Sequence, residues 1–497
     1  MVKVHTWRKQ HKWIGLIISF FIIMFCLSGI ILNHRSAVSG CNIDRKFLPY
    51  FYHFENWNKG LLRGSVTCRL NGRNCVLLYG NEGCWLSDYA ASAFIDFNRG
   101  LPEGRDLRAL RSVVRSSDGS LFASGQFGCY ILSDMAPYKW LPLELPLSDG
   151  ERISDMIVQG DSLLVVGRSY LYLSLYPYRH FQRIQLKEPE GYDGKVSLFR
   201  TVWQLHNGEL FGTIGRLVLD IVAVCLILLC ISGWFYWLFP RKRILWRRLF
   251  LKVHDRVGTK TIVLTLFIAI TGWCLRPPVL IGLVQGRIPA IPGTSLYSTN
   301  PWNDKLRMLR YDSASHDWLL STSDGFYELS TLRDIPRKLS QVPPVSVMGL
   351  NVWKQDSDGT WLTGSFSGMF RWNRTTGLIT EYTTKHPVVS QSGPPFGTDP
   401  VAGFISDFHH RPYVVNYNTG CDFAAMPEKF STLPMSLWDV ALEIHSGRIY
   451  VFDNMASMIF IFFVGILSVW VLWSGYRIRI KNKRKLNKNQ KFNILRK

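Results

Sequence analysis

Four stretches of this chain are long and apolar enough to cross a lipid bilayer as helices. A helical span needs about 20 predominantly apolar residues, a run that few other folded environments accommodate. Arg276-Pro277-Pro278 interrupts the third stretch, so we expect its helix to end there. The sequence therefore predicts an integral membrane protein. The predicted spans are 13–32, 217–239, 261–283 and 455–476.

The net charge of +22 is concentrated in three short segments. Residues 1–12, 240–260 and 477–497 contain 22 of the 58 basic residues but only one of the 36 acidic ones. Short cytoplasmic segments beside membrane spans are enriched in Lys and Arg. We therefore predict a cytoplasmic N-terminus, linker and tail, with 33–216 and 284–454 outside. Because these outer segments are nearly neutral, no nucleic acid partner is expected.

The two outer segments share a repeated hairpin pattern. An apolar strand leads into a turn, with Gly at the eighth position in five of six copies, and a second strand follows. The copies recur about every 40 to 50 residues, the length of a four-stranded propeller blade. We predict one six-bladed β-propeller-like domain assembled from both segments; another antiparallel β domain with regular hairpins is the alternative. The copies begin at Val76, Leu121, Leu163, Trp318, Trp361 and Tyr413.

The last copy departs from the pattern, because Asp422 stands where the other five carry an aromatic residue. The fifth unit, VMGLNVWKQDSDGTWLTGSFSGMFRWN, resembles the blades of two-component-regulator propellers, a likeness that implies architecture rather than activity. Exported domains can form disulfides, and Cys68 with Cys75 is the pair that we expect. Asp407, His409 and His410 are candidate metal ligands, but side chains alternate along a strand, so we interpret them as surface residues.

The apolar helices repeat as well. HKWIGLIISFFIIMFCLSG begins at His11 and HDRVGTKTIVLTLFIAITG begins at His254; both carry Gly at the fifth position and end in Ser/Thr-Gly. His206 in LHNGELFG and His445 in IHSGRIYV introduce the other two helices, each of which ends in Ser-Gly-aromatic. The chain is therefore interpreted as two copies of one unit. A pseudo-twofold axis would pair His11 with His254 and His206 with His445.

The segments HKWIGL…SGIIL and LHNGELFGTIGRLVLDIVAVCLILLCISGWFYW resemble the PepSY-associated transmembrane family. Its members are bacterial inner-membrane proteins, some of which are haem-containing ferric-siderophore reductases. The likeness covers the four helices and their flanks. Propeller-like repeats stand where a PepSY domain would be expected, which leaves the substrate open.

Imidazoles paired across helices suit haem, since two neutral histidines give iron a six-coordinate, electron-transferring site. About 30 Å of hydrocarbon separates the two predicted pairs, so we expect two haem b groups. His34 is an alternative ligand, and Arg276 could hold a haem propionate or another anion. A role in anchoring or hydrogen bonding alone remains the alternative for each histidine. The predicted axial ligands are His11, His254, His206 and His445.

The sequence contains no nucleotide-binding motif, so electrons would come from quinol or another donor. The leading prediction is a di-haem reductase in the inner membrane of a Gram-negative bacterium, with a periplasmic ferric chelate or siderophore as substrate. The alternative is a haem-free, membrane-anchored propeller that acts as a sensor or assembly protein. Only Asp220 and Arg276 place charge within the predicted spans, which argues against a transporter.

Overall fold

The computed structural model describes residues 4–240, 242–388, 397, 399–408, 411–450 and 454–494. His409 and His410 lie outside the described residues. The chain divides into two compact units, which we call the helical unit and the sheet unit. The helical unit comprises Met1–Val38, Gly194–Tyr297 and Leu437–Lys497, and the sheet unit comprises Ser39–Asp193 and Ser298–Ser436.

Short 3₁₀ turns accompany the helices. Those at Glu209–Phe211 and Arg448–Tyr450 each lead into a long helix of the helical unit. The others are Arg45–Phe47, Tyr50–Tyr52 and Glu428–Phe430. The α-helices in chain order are α1 (Val4–Asn33), α2 (Arg35–Val38), α3 (Arg105–Arg108), α4 (Leu198–Asn207), α5 (Gly212–Leu238), α6 (Ile244–Cys274), α7 (Val279–Gln285), α8 (Leu437–Ser446) and α9 (Asn454–Ile494).

Four helical stretches are long and apolar enough to cross a membrane: Val4–Asn33, Glu209–Leu238, Ile244–Cys274 and Met455–Lys481. They correspond to α1, α5 with its preceding turn, α6 and most of α9. Helix α6 begins inside the stretch predicted as a linker, because its Leu, Arg and Lys residues favour helix as strongly as the apolar part does. It ends before the two prolines, and α7 follows them.

The four long helices form a bundle in which α1 and α6 each pack against both α5 and α9. Helices α1 and α6 therefore lie diagonally across it. Ile18, Ile22 and Cys26 recur every fourth residue on α1 and form a buried stripe against Leu226 and Leu229 of α5. The unit also repeats internally, since α4 and α8 both have ten residues and both lead through a 3₁₀ turn into a long helix.

The sheet unit consists almost entirely of antiparallel strands. Four sheets have four strands each, β6–β9, β10–β13, β16–β19 and β20–β23, and a larger sheet has the order β25-β24-β2-β3-β4-β5. The strands are β1 (Asn42–Ile43), β2 (Gly64–Leu70), β3 (Arg73–Gly80), β4 (Gly83–Ser87), β5 (Ile95–Asp96), β6 (Leu110–Arg115), β7 (Leu121–Gly125), β8 (Cys129–Leu132), β9 (Trp140–Leu143), β10 (Ile153–Gln159), β11 (Ser162–Gly167), β12 (Leu171–Leu175), β13 (Gln182–Ile184), β14 (Lys195–Ser197), β15 (Arg287–Pro289), β16 (Leu306–Asp312), β17 (Asp317–Thr322), β18 (Gly325–Leu329), β19 (Arg337–Lys338), β20 (Leu350–Gln355), β21 (Trp361–Ser365), β22 (Gly368–Trp372), β23 (Ile379–Glu381), β24 (Val401–Ile405), β25 (Tyr413–Asn416) and β26 (Met435–Ser436). Two small pairs, β1–β26 and, in the helical unit, β14–β15, complete the set.

Five of the six predicted hairpins form, as β3–β4, β7–β8, β11–β12, β17–β18 and β21–β22. The glycines at Gly83, Gly325 and Gly368 have φ of 106°, 124° and 124°, which other residues rarely adopt. The sixth copy forms its turn, in which Asn416 and Gly420 exchange two backbone hydrogen bonds, but the prediction of a second strand was wrong: within residues 411–436 no strand pairs with β25 after that turn. Cys421 instead donates its N–H to the carbonyl of Asn56 at 2.9 Å, which draws the chain away from β25.

Six strands, one from each of the six repeats, touch one another in a cycle. Strand β2 contacts β6, β6 contacts β10, and the series continues through β16, β20 and β24. Strand β24 returns to β2 through a parallel pairing of Gly64 with Phe404. The apolar cores lie between neighbouring sheets; one of them collects Trp353, Trp361 and Trp372.

The predicted Cys68–Cys75 disulfide is not formed. The two residues lie directly opposite each other in the register of β2 and β3, but all ten cysteines of the chain are free thiols. Cys84, Cys129 and Cys421, which follow turn glycines, are buried. Each of them packs among the apolar side chains between sheets.

Candidate functional site

Four of the six predicted site residues meet as two facing pairs in the helical unit. The ring centroids of His11 on α1 and His254 on α6 are 6.0 Å apart, with an interplanar angle of 76°. Those of His206 on α4 and His445 on α8 are also 6.0 Å apart, with an angle of 47°. We call them the long-helix pair and the short-helix pair, after the helices that carry them.

Each ring of the long-helix pair is anchored through Nδ1. His11 Nδ1 lies 3.0 Å from the carbonyl oxygen of Val471 and 3.1 Å from Ser474 Oγ, both on α9. His254 Nδ1 lies 3.0 Å from the carbonyl of Leu229 and 3.2 Å from Ser232 Oγ, both on α5. Because a carbonyl oxygen can only accept, Nδ1 must carry the proton in both rings.

The short-helix pair is anchored in the same way. His445 Nδ1 lies 2.9 Å from the carbonyl of Phe25 and 3.1 Å from Ser28 Oγ on α1. His206 Nδ1 lies 3.2 Å from Thr271 Oγ1 on α6. That hydroxyl donates its own hydrogen to carbonyls of its helix, so its oxygen accepts from His206. All four histidines thus carry their proton on Nδ1.

A glycine follows each of the four hydroxyl residues and lies against the imidazole. A Cβ added at Gly272 would lie 2.7 Å from Cε1 of His206, too close for any real side chain. The corresponding distances are 3.1 Å from Gly475 to His11, 3.2 Å from Gly29 to His445 and 3.7 Å from Gly233 to His254. We call each Ser/Thr-Gly dipeptide a histidine clamp. The clamps are Ser28-Gly29, Ser232-Gly233, Thr271-Gly272 and Ser474-Gly475.

The clamps connect the two halves of the repeat. Helix α1 of the first half clamps His445 of the second, and α6 of the second half clamps His206 of the first. The same exchange occurs in the long-helix pair. Helix α9 of the second half clamps His11 of the first, and α5 of the first half clamps His254 of the second. Each half therefore supplies the histidines of one copy and the clamps of the other.

The edges of the rings away from the clamps have the chemistry of metal ligands. Within the described residues no hydrogen bond reaches Nε2 of any of the four histidines, so each neutral ring has an unengaged lone pair. A histidine ligand normally donates its other N–H to a carbonyl or similar acceptor, which fixes the tautomer. Imidazole–metal bonds are about 2 Å long, so a 6.0 Å separation of ring centroids is compatible with two imidazoles on opposite sides of one ion.

Unsatisfied hydrogen-bond donors lie near both pairs. Trp7 Nε1, one turn before His11, is buried and has no partner among the described residues. The same holds for Trp273 Nε1, next to Gly272, and for the hydroxyl of Tyr450, whose ring packs on Phe25. A haem brings two propionate carboxylates, which are acceptors. The ligand atoms and the orphaned donors therefore fit a haem at each pair.

The other two predicted residues have different positions. Arg276 Nη2 donates to the carbonyl of His445 at 3.2 Å, so this predicted anion anchor lies at the short-helix pair. His34 Nε2 lies 2.7 Å from Asp220 Oδ2, and Asn33 donates to the other oxygen of the same carboxylate at 3.1 Å. The structure thus directs the free edge of His34 to Asp220 and not to either histidine pair.

Residues 166–481 match the sequence model of the PepSY-associated TM region, which is more than half of the chain. The chain belongs to the PepSY-associated TM family. No curated protein matches it.

Two solved structures are similar to this PepSY-associated TM protein at 10% sequence identity. They are described as the extracellular domain of a hybrid two component system and of a one component system from B. thetaiotaomicron, with TM-scores of 0.33 and 0.32. Each match covers 74% of this chain and 39% of the other. The chain thus spans less than half the length of the solved structures that it matches.

Sequence reasoning found the four histidines of the PepSY-associated TM unit but missed the clamps. The signal was present, since every long helix carries Ser-Gly or Thr-Gly near one end. His11 and Ser28 are separated by the same number of residues as His254 and Thr271, so α1 and α6 each present a ligand and a clamp at matching positions. What the sequence alone did not reveal is which histidine each clamp holds.

Proposed function

We propose that this protein holds two haem b groups, one at each histidine pair, and passes electrons across the inner membrane to a periplasmic ferric chelate or siderophore. The observation that carries the proposal is the set of four imidazoles in two facing pairs, each with its Nδ1 proton engaged and its Nε2 free. Haem iron, when bound, supplies one-electron oxidation and reduction.

The chain's own residues have distinct parts in this proposal. The four histidines are the axial ligands, and the clamps fix their tautomer and orientation. Trp7, Trp273 and Tyr450 supply hydrogen-bond donors for propionate groups, and Arg276 adds a positive charge at the short-helix pair. The packed apolar faces of α1, α5 and α9 keep water from the middle of the bundle.

Two sites are needed because the pairs lie far apart along the helices. On α1, His11 and the clamp at Ser28 are about 25 Å apart at 1.5 Å per residue. Helix α6 gives the same separation between His254 and Thr271. Since the hydrocarbon core is about 30 Å thick, the two pairs lie towards opposite faces of the bilayer.

The sheet unit is proposed to be a six-bladed propeller on the periplasmic side. The cycle of contacts among β2, β6, β10, β16, β20 and β24 supports this architecture, and the sixth blade would be reduced to β24 and β25. The basic segments at both ends of the sequence and around 240–260 support cytoplasmic placement of these parts. Quinol or another protein would donate the electrons.

The test is an absorption spectrum of the full-length protein purified from cells supplied with haem, together with a haem count per chain. We expect two haems per chain, with a sharp Soret band and resolved visible bands on reduction by dithionite. His11→Ala and His206→Ala should each remove one haem, whereas His34→Ala, the matched control, should retain both. A colourless preparation would contradict the proposal and favour the haem-free anchored sensor or assembly protein.

A further inference from the structure

A groove lined by basic residues lies between α6 and α9. Lys252, Arg256 and Lys260 recur every fourth residue and so share one face of α6. With Arg479 of α9 they line a groove of about 270 Å³, together with Asp255 and Thr259. Four cations thus face a single carboxylate.

The four cations of the groove outnumber its one carboxylate, Asp255, and form no ion pair with it. Within the described part of the chain, no ion pair or hydrogen bond reaches Lys252, Arg256, Lys260 or Arg479. The hydroxyl oxygen of Thr259 is buried and also has no partner there. Lys252, Arg256 and Lys260 are exposed and can meet an anion, and a buried hydroxyl without a partner is costly, so this groove has the features of a site for an anion.

The lengths of the two helices place the groove at the surface of the bilayer. Helix α6 has 31 residues and is about 46 Å long, well beyond the roughly 30 Å of the hydrocarbon core. Its uncharged stretch begins after Lys260, and the uncharged stretch of α9 ends before Arg477. Both sides of the groove therefore lie at headgroup level.

The same face of α6 changes from basic to apolar beyond the groove. Val263 and Phe267 continue the stripe of Arg256 and Lys260, and their side chains are 76% and 39% exposed. A free phosphate would use only the basic half of this face. A phospholipid would use both halves, with its phosphate among the cations and an acyl chain along the apolar residues.

We propose that this groove binds the phosphodiester headgroup of an anionic phospholipid of the phosphatidylglycerol or cardiolipin type. Arg256 and Arg479 offer fork-like donors to phosphate oxygens, the two lysines add positive charge, and Thr259 donates its hydroxyl. Basic pockets between membrane helices on the cytoplasmic side bind such headgroups. The lipid would bridge α6, which carries His254, and α9, which clamps His11.

The test is native mass spectrometry of the delipidated full-length protein in detergent, with phosphatidylglycerol, cardiolipin, phosphatidylcholine or inorganic phosphate added separately. We expect one anionic phospholipid to be retained in clear preference to phosphatidylcholine. Arg256→Gln combined with Lys260→Gln should weaken this retention by about 30-fold, because two cations are lost. Lys242→Gln combined with Arg248→Gln removes the same charge outside the groove and should leave retention unchanged.

Thr259→Val provides a variant without any change of charge and should weaken retention of phosphatidylglycerol by about fivefold. It keeps the proposal testable if the double variant fails to fold, which its gel-filtration profile would reveal. Equal retention of phosphatidylcholine would overturn the proposal, as would undiminished retention by a folded groove variant. Binding of inorganic phosphate without binding of lipid would identify a phosphate site and overturn the assignment to lipid.

Discussion

The two histidine pairs have the same ring separation and the same kind of clamp, but different carriers. His11 and His254 stand within helices of 30 and 31 residues, whereas His206 and His445 stand at the ends of ten-residue helices. The repeated feature is therefore the contact between imidazole and Ser/Thr-Gly, not the element that presents the imidazole. A ligand on a short helix can be positioned as well as one on a membrane span if its Nδ1 side is fixed.

The helix that carries each histidine nevertheless determines how far the imidazole ring can move. A long helix packed against two neighbours cannot shift without disturbing the bundle. A ten-residue helix held at one end by a glycine turn, such as Gly208 at φ 80° after α4, can move by a few tenths of an ångström at lower cost. The two pairs should therefore respond differently to the same perturbation.

The largest effect is expected for Gly272→Ala. Its Cβ would lie 2.7 Å from Cε1 of His206, well inside the 3.4 Å at which ordinary contact begins, and this overlap exceeds the few tenths of an ångström by which α4 can move. His206 must leave its position, and haem content should fall by about half, because one of two axial pairs is broken. The measurement is haem per chain after purification from cells supplied with haem.

Gly233→Ala is the control for this variant, since it places the same methyl group in the equivalent clamp at 3.7 Å from His254, an ordinary contact. It should retain both haems. If Gly272→Ala also kept both with an unaltered spectrum, the clamp at His206 would not position a ligand.

A second experiment compares a histidine on a long helix with one on a short helix, using two alanine substitutions that approach the ring to nearly the same distance. Alanine at Gly475 approaches His11 to 3.1 Å and alanine at Gly29 approaches His445 to 3.2 Å. Because His11 lies in a packed long helix and His445 in a short one, Gly475→Ala should lose more haem and lower the midpoint of thermal unfolding further. A cost of about 1 to 3 kcal/mol is typical of such overpacking. Equal losses in the two variants would show that the carrier does not matter.

Arg276 marks a further difference between the pairs, because its guanidinium lies at the short-helix pair. A positive charge disfavours the more positive, oxidised state of nearby iron, and more strongly so in an environment of low dielectric constant. Arg276→Gln should lower one of two reduction midpoints by roughly 60 mV and leave the other in place. Redox titration followed in the Soret band resolves the two. Lys12→Gln removes a positive charge beside His11 of the other pair, and as the control it should leave the midpoint that responds to Arg276 unchanged.

Much of the fold could be predicted because its signals are local. Apolar runs of membrane length and turn glycines act within a few residues, so four long helices and five hairpins follow from the sequence. The loss of the second strand in the sixth copy could not be foreseen, since the contact that replaces it joins Cys421 to Asn56 across the chain. The start of α6 was missed because its basic residues, read as a linker, also favour helix.

The candidate site also has one part that the sequence predicts and one part that it does not. The four histidines could be found because an internal repeat marks them, and the repeat also suggested which ones face each other. The clamps join residues several hundred positions apart, such as Ser28 and His445, and no local pattern identifies such partners. His34 resembled a ligand in sequence because the carboxylate that engages it, Asp220, lies on another helix.

The smallest effect is expected from removing a clamp hydroxyl, and its size should differ between the two histidine pairs. Ser474→Ala removes one of two acceptors of the His11 proton, whereas Thr271→Val removes the hydroxyl acceptor 3.2 Å from His206. A weaker acceptor makes the imidazole a poorer donor to oxidised iron, so both variants should raise a reduction midpoint, by roughly 20 to 40 mV. Ser468→Ala, whose hydroxyl bonds only to its own helix, should shift neither midpoint. Because His11 keeps its bond to the carbonyl of Val471, the rise should be smaller in Ser474→Ala than in Thr271→Val. The reverse order would mean that the hydroxyl of Ser474, and not the carbonyl of Val471, is the main acceptor of the His11 proton.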